Sequence, residues 1–481
     1  MFIRVSALAL ALCAPALASQ TVFNAPIYNT SFVPHNDLSA LSATSFTTLT
    51  HPAFPKHGVR VKKSEFCDGT VASYTGYIDI EARHLFFYFF ESRSDPAKDD
   101  VIFWTNGGPG CSSAIGLFME LGPCRVNDAE EGTVFHPESW NSNANVFFVE
   151  QPIGVGFSYA DYGEYVSTTE EAARDIAAFV AIFFAHFKFQ GRPFHLAGES
   201  YGGRYVPAFA AAVYDQNEYL VKAGLRPINL TSIMVGNGIT DVPTMVGGWH
   251  KIQCTGASYG PVQSIQKCVD MERRLPRCEK WLKQSCKDVF DDINCAAAME
   301  FCLISLLVPY AELGLNPYDL TKQCVGDDLC YDIIAQVVKF LNRKDVQETL
   351  GVERTNYTSC SPKVMADFGW LQHDLMHGST EYVAGLLERG VRVLIYAGSY
   401  DFICNWLANE RWTRELEWSG REAFAGEPLR EWTVKGAPAG KTRSAGGFTF
   451  ATIYGAGHMA PYDKPKESLE MVQRWVAGKE L

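Results

Sequence analysis

Gly198-Glu199-Ser200-Tyr201-Gly202 places a hydroxyl between glycines, directly after an apolar run at 194–197 and before residues that suit a helix. A sharp strand-to-helix turn of this kind exposes a serine as a nucleophile, and the glycines let other backbone approach it. The pattern alone is common, and an ordinary loop explains it equally well. Two later residues change the balance. Asp401 closes Tyr396-Ala-Gly-Ser-Tyr-Asp401 just beyond an apolar run, and His458 stands in the glycine-rich Tyr454-Gly-Ala-Gly-His458 after another. A lone Asp after a strand is usually a turn former, and a lone His is usually structural. All three at strand ends, in the order Ser, Asp, His, form a hydrolase triad. Ser200 attacks, His458 carries the proton, and Asp401 orients the imidazole. Asn106-Gly107-Gly108-Pro109-Gly110 follows an early strand, where such a fold supplies its second oxyanion donor.

The elements that must hold these residues alternate. Continuous apolar runs at 101–105 and 146–149 read as strands buried on both faces, with further candidates at 232–235, 392–396 and 449–453. Residues 77–80 and 84–91 read as a hairpin. Thr168 and Glu171 open a helix that runs to about 187 with a capping pattern. The fold class is α/β, a mostly parallel central sheet flanked by helices. Residues 240–360 differ: eight Cys fall between Cys254 and Cys330 among short helical pieces, which reads as a disulfide-stapled helical insertion. The expected organisation is a signal peptide at 1–18, an N-terminal arm or pro-segment at 19–66, core at 67–239, the insertion at 240–360, and core again at 361–481. Lys62-Lys63 is a candidate processing site.

Composition sets the compartment and excludes several partners. The 481 residues carry a formal charge of −12 with no sustained basic face, so nucleic acid and anionic membrane are not expected. A short basic start, an apolar stretch at 5–13 and Ala16-Leu17-Ala18 read as a secretion leader too short to span a bilayer. No other run long enough was found; the one at 303–308 is brief. Asn29, Asn229 and Asn356 head glycosylation sequons. Of 14 Cys, Cys13 lies in the leader, which leaves an odd number and hence one free thiol. The expected location is the secretory pathway, with export favoured over the vacuole. His373 and His377 have the spacing of a zinc helix but lack its Glu, and no metal or other cofactor is expected.

Several longer motifs carry a closer resemblance. Asn106-Gly-Gly-Pro-Gly-Cys-Ser-Ser113, Phe118-Met-Glu120-Leu-Gly-Pro123, Gln151-Pro-Ile-Gly-Val-Gly-Phe-Ser158, Gly198-Glu-Ser-Tyr-Gly-Gly203, Asp401-Phe-Ile-Cys404-Asn405-Trp406 and the Gly-Ala-Gly-His-Met run ending at Met459 match the serine carboxypeptidases of the carboxypeptidase Y type. The similarity runs from about residue 70 to the C-terminus. It implies an α/β-hydrolase fold and release of C-terminal amino acids from peptides and proteins at acidic pH, through an acyl-enzyme. It implies an oxyanion hole from the Gly108 and Tyr201 amides. Asn106, the Gly107 amide, Glu120 and Glu199 would hold the substrate carboxylate, one of the two acids staying protonated to donate a hydrogen bond. Ile239, Leu375 and Ile403 resemble the residues lining the family's S1 pocket, for hydrophobic or long basic side chains. Cys404 would be the free thiol beside the His. The pairs implied are Cys254–Cys268, Cys278–Cys302, Cys286–Cys295, Cys324–Cys330 and Cys111–Cys360, with Cys67–Cys124 remaining; sequence alone leaves connectivity open. Two other readings stand beside this one: an acyltransferase or esterase on the same scaffold, and a secreted scaffold protein with a dead site. Oligomeric state is not legible.

Overall fold

The apolar runs pair as a sheet whose centre is six parallel strands, in the order Ala144–Val149, Asp100–Thr105, Phe194–Glu199, Leu230–Gly236, Arg392–Gly398 and Phe448–Ile453. In the computed structural model the described residues are 32–67, 69–127, 132–326, 329–371 and 374–481. The leader, the Asn29 sequon and His373 lie outside them. Alternate residues of one strand feed opposite faces. Val101 and Phe103 pack with the helices Thr169–Phe187 and Gly202–Lys222, whereas Ile102 and Trp104 pack with the C-terminal helix Pro465–Val476 and its neighbours. Burial on both faces is why these strands lack polar alternation. Thr168 caps the first helix by accepting from the Glu171 N–H, and Glu171 accepts in return from the Ser167 N–H.

The sheet is mixed rather than parallel throughout. Antiparallel strands Arg83–Phe90, Ser73–Ile80, His57–Lys63 and Thr47–Thr50 extend one side, and Ala437–Ala445 with Arg430–Val434 extend the other. Two segments of the stretch read as an arm, Thr47–Thr50 and His57–Lys63, are therefore edge sheet. Lys62 is buried and Lys62-Lys63 pairs with Thr75 and Tyr74, so cleavage at this dibasic pair would require the strand to peel away.

The insertion has its own apolar centre around Trp249, Met271, Leu282, Cys295, Cys302 and Leu306. Its helical run Asp292–Ala311 is long and apolar enough to cross a membrane, longer than the short run seen in the sequence. One face of it packs in that centre, and two disulfides, Cys278–Cys302 and Cys286–Cys295, pin it there. Helices Asp332–Leu341 and Lys344–Leu350 pack instead on the sheet, through Val337, Phe340 and Leu350. The remaining bridges are Cys67–Cys124, Cys111–Cys360, Cys254–Cys268 and Cys324–Cys330, and Cys404 is free and buried.

Candidate active site

Three of the central strands end at the residues that matter, on the carboxyl edge of the sheet where open α/β folds place their sites. Phe194–Glu199 delivers Ser200, held at φ 61° in the left-handed region, and the helix Gly202–Lys222 begins almost at once. The turn is locked because the Ser200 carbonyl accepts from the Gly203 and Ile239 amides, at 2.9 and 2.8 Å. Arg392–Gly398 delivers Asp401, and Phe448–Ile453 delivers His458; both are buried. His458 Nδ1 bonds Asp401 Oδ2 at 2.8 Å, which leaves Nε2 for proton transfer. Ser200 and His458 are not hydrogen-bonded as the chain stands. Contacts between nucleophile and base commonly tighten only around substrate.

Asp401 has a second partner that the sequence reading did not single out. Asn237 Nδ2 donates to Asp401 Oδ2 at 2.7 Å, and Asn237 Oδ1 accepts from the Gly398 N–H at 3.1 Å. Its signal was present: Asn237-Gly238 follows a central strand, and Asn237 takes φ 44°. The insertion also reaches in. Pro317 O accepts from the Phe402 and Ile403 amides, Tyr318 O accepts from the His458 amide at 2.7 Å, and the Tyr318 ring lies 5.1 Å from the imidazole. A strap from the insertion thus holds both the Asp401 and His458 loops.

The oxyanion side is set by close backbone approach. A Cβ on Gly107 would fall 2.3 Å from the Tyr201 nitrogen and 2.6 Å from the Glu199 oxygen, so the loop after Asp100–Thr105 lies directly on the elbow. Gly108 follows at φ 109°, open only to glycine. Beneath this loop sits Glu150, another residue not anticipated. It is fully buried, its Oε1 accepts from the Tyr88 hydroxyl at 3.4 Å, and burial pushes its pKa up to about 8.

Beside the elbow, Asn106, Glu120 and Glu199 are buried together. Asn106 Oδ1 accepts from Trp104 Nε1 and the Gly116 amide, which fixes the amide plane and points Nδ2 at Glu120 Oε1, 3.0 Å away. Glu120 closes a π-helical turn, Gly116–Glu120, a local widening frequent at functional sites. The two carboxyls are in hydrogen-bond contact. Glu120 Oε2 and Glu199 Oε2 find no other donor in the protein. Burial and then the Glu120 charge hold Glu199 well above the ordinary carboxylate range. Burial also raises Glu120, while its bonds to Glu199 and Asn106 pull it back. One proton shared by the pair satisfies both groups.

Ile239, Leu375 and Ile403 line one apolar cavity of about 150 Å³, whose far wall is Met299, Leu303 and Leu307 of the insertion. Cys404 is fully buried; burial, then Asp401 and Glu199, push its thiol well above the usual value. Asn229 and Asn356 are exposed.

A strand-borne serine, a histidine paired to a buried aspartate and an amide loop against the elbow define a serine hydrolase of the α/β-hydrolase class. Comparison with known proteins narrows this. The serine carboxypeptidase family model matches residues 66–478. Carboxypeptidase Y of Candida albicans is 41% identical over 435 residues, covering 89% of this chain and 78% of that one. A vacuolar serine-type carboxypeptidase of Saccharomyces cerevisiae is 41% identical over 443 residues, covering 90% and 85%. The crystal structure of a prohormone-processing carboxypeptidase from Saccharomyces cerevisiae shares the fold, with TM-score 0.70 at 22% identity over 89% of this chain and 93% of that one. The chain belongs to the serine carboxypeptidase family and is a hydrolase of peptide C-termini. Family membership and six disulfides put it in the oxidising secretory pathway.

Proposed function

We propose that Ser200 is the nucleophile of an acid-favoured exopeptidase, with His458 as general base and Asp401 as its orienting partner. The Gly108 and Tyr201 amides receive the developing oxyanion. Asn106, the Gly107 amide and the Glu120–Glu199 pair grip the terminal carboxylate of the substrate. The acyl-enzyme then loses its peptide to water after the terminal amino acid has left. The observation that carries this reading is the pair of buried carboxyls beside the elbow, whose Oε2 atoms have no other donor. An esterase acting on an uncharged ester would have no carboxylate for this pair to grip.

The P1 side chain enters the cavity lined by Ile239, Leu375 and Ile403. Among the described residues the cavity is lined by apolar side chains, which offer no partner to a buried cation. Hydrophobic P1 residues are therefore the ones this lining favours over long basic ones. Within the secretory pathway, export is proposed over vacuolar delivery, though the leader itself serves both routes; recovery of the chain from the vacuole instead of the medium would overturn it. The division into a core at 67–239 and 361–481 around a cap at 240–360 is likewise our reading; the separate apolar centre supports it from Val242 to Leu320, whereas helices Asp332–Leu341 and Lys344–Leu350 pack with the core.

The sign of the pH dependence follows from the pair. Its raised pKa means the proton is fully present at acidic pH and is lost as pH rises through that value. Substrate affinity falls with it, so KM for a free-acid peptide grows with pH. Replacing both acids, Glu120→Gln and Glu199→Gln, keeps donors without the titration. KM measured from pH 4 to 8 should rise steeply in the parent chain and stay nearly flat in the double variant. An equally steep rise in both would overturn the assignment.

A further inference from the structure

Asp374 lies on none of the strands that carry the triad, yet it joins three parts of the site. It is 1% exposed. Its Oδ2 accepts from the Tyr201 hydroxyl at 2.8 Å and from Thr169 Oγ1 at 2.6 Å. Its Oδ1 accepts from the Thr169 amide at 3.0 Å and from Arg204 Nη2 at 3.2 Å, and its carbonyl accepts from Arg204 Nε at 3.3 Å. Arg204 is held from the other side by Glu170 at 2.6 Å, which in turn accepts from the Tyr382 hydroxyl. Each carboxylate oxygen thus receives two donors. A buried carboxylate satisfied this fully is fixed in place, and it fixes the groups that donate to it.

What it fixes is specific. Tyr201 is the residue whose amide faces the oxyanion, and its side chain reaches past the elbow to Asp374. Leu375 and Met376, the next two residues, line the apolar cavity. Thr169 begins the helix that packs along the elbow helix, so the carboxylate also sits at a helix N-terminus that favours negative charge. Burial, and then the Asp374 charge, hold the Tyr201 hydroxyl well above its ordinary pKa, so it stays a donor.

We propose that Asp374 is a positioning residue that ties the oxyanion amide of Tyr201 to the P1-binding wall at Leu375 and Met376. A P1 side chain filling the cavity then bears on the same rigid unit that aims the oxyanion donor. Good P1 residues are rewarded in turnover as well as in binding. This rests on the reading of Ser200 as nucleophile and Tyr201 as oxyanion donor.

The test uses two N-blocked dipeptides that differ only in Phe or Ala on the acyl side, with kcat and KM measured separately. Tyr201→Phe deletes one hydroxyl and keeps the ring. It should lower kcat on the Phe substrate about 10-fold, the scale of a lost hydrogen bond to a charged group, with KM little changed. The Phe-over-Ala preference should shrink severalfold. Asp374→Asn presents an NH2 to groups that are all donors and should lose about 100-fold in the same direction. Thermal melting of both variants accompanies the kinetics. If Tyr201→Phe keeps parental kcat and parental P1 preference, the proposal is wrong, and a lowered melting temperature alone would reduce the network to a structural role. Failure of the underlying reading looks different: a fluorophosphonate would then leave Ser200 unlabelled in the parent chain.

Discussion

Chemistry at the residue scale is divided between groups that must titrate and groups that must not. On the proposed reading the Glu120–Glu199 pair needs its raised pKa, because a carboxyl donates to a substrate carboxylate only in its protonated form. Cys404 is the opposite case. One oxygen of Asp401, the Cys404 sulfur and one His458 ring nitrogen lie within 4.8 Å of one another, so the thiol borders the triad. Its raised pKa keeps it protonated, and a buried thiol is a poor nucleophile. Cys404→Ser should therefore retain activity within about an order of magnitude. A bulky mercurial should silence the parent chain and spare the variant. Loss of all turnover in a folded Cys404→Ser protein would show that the thiol takes part in the chemistry. Ser200, Asp401 and His458 could be picked out of the sequence because each sits in a short motif after an apolar run. Asn237 could have been, from its Asn-Gly pair after a central strand; Glu150 and Asp374 could not, since a single polar residue becomes readable only once folding shows what it faces.

Elements place these groups by ending at the right point. The six central strands were legible because burial on both faces leaves unbroken apolar runs. The edge strands Thr47–Thr50 and His57–Lys63 were not. Thr47–Thr50 has only Leu49 fully buried, too little alternation to register in sequence. The run Asp292–Ala311 read as shorter because Asn294 and Glu300 interrupt it on the exposed side, leaving Leu303 to Val308 as the visible stretch. The strap at Pro317 and Tyr318 acts through backbone carbonyls, which leave no mark in residue type. At the oxyanion loop the constraint is steric. Gly107→Ala would put a methyl 2.3 Å from the Tyr201 nitrogen and force loop and elbow apart. Displacing an oxyanion donor costs about 10²–10³ in turnover, so kcat should fall on that scale while the protein stays folded. Turnover within threefold of the parent would mean that the loop does not set the oxyanion geometry.

The molecule as a whole builds one enclosed site from a sheet edge and an insertion. The sheet carries the triad, and the insertion supplies the strap over His458 and the far wall of the apolar cavity. Cys111–Cys360 anchors the oxyanion loop to the chain returning from the insertion, across 249 residues of sequence. With the carboxylate grip proposed for Asn106, Glu120 and Glu199, such a site would admit a chain terminus rather than a loop in mid-chain. The central claim is thus that Ser200 releases free amino acids one at a time from the carboxyl end. The direct measurement is mass spectrometry of a peptide mixture, half with free and half with amidated C-termini, digested at acidic pH by the parent chain and by Ser200→Ala. The account predicts ladders of C-terminal truncation from the free-acid peptides, strong resistance of the amidated ones, and no ladder from Ser200→Ala. Internal cleavage, equal digestion of amidated peptides, or ladders that survive Ser200→Ala would contradict it.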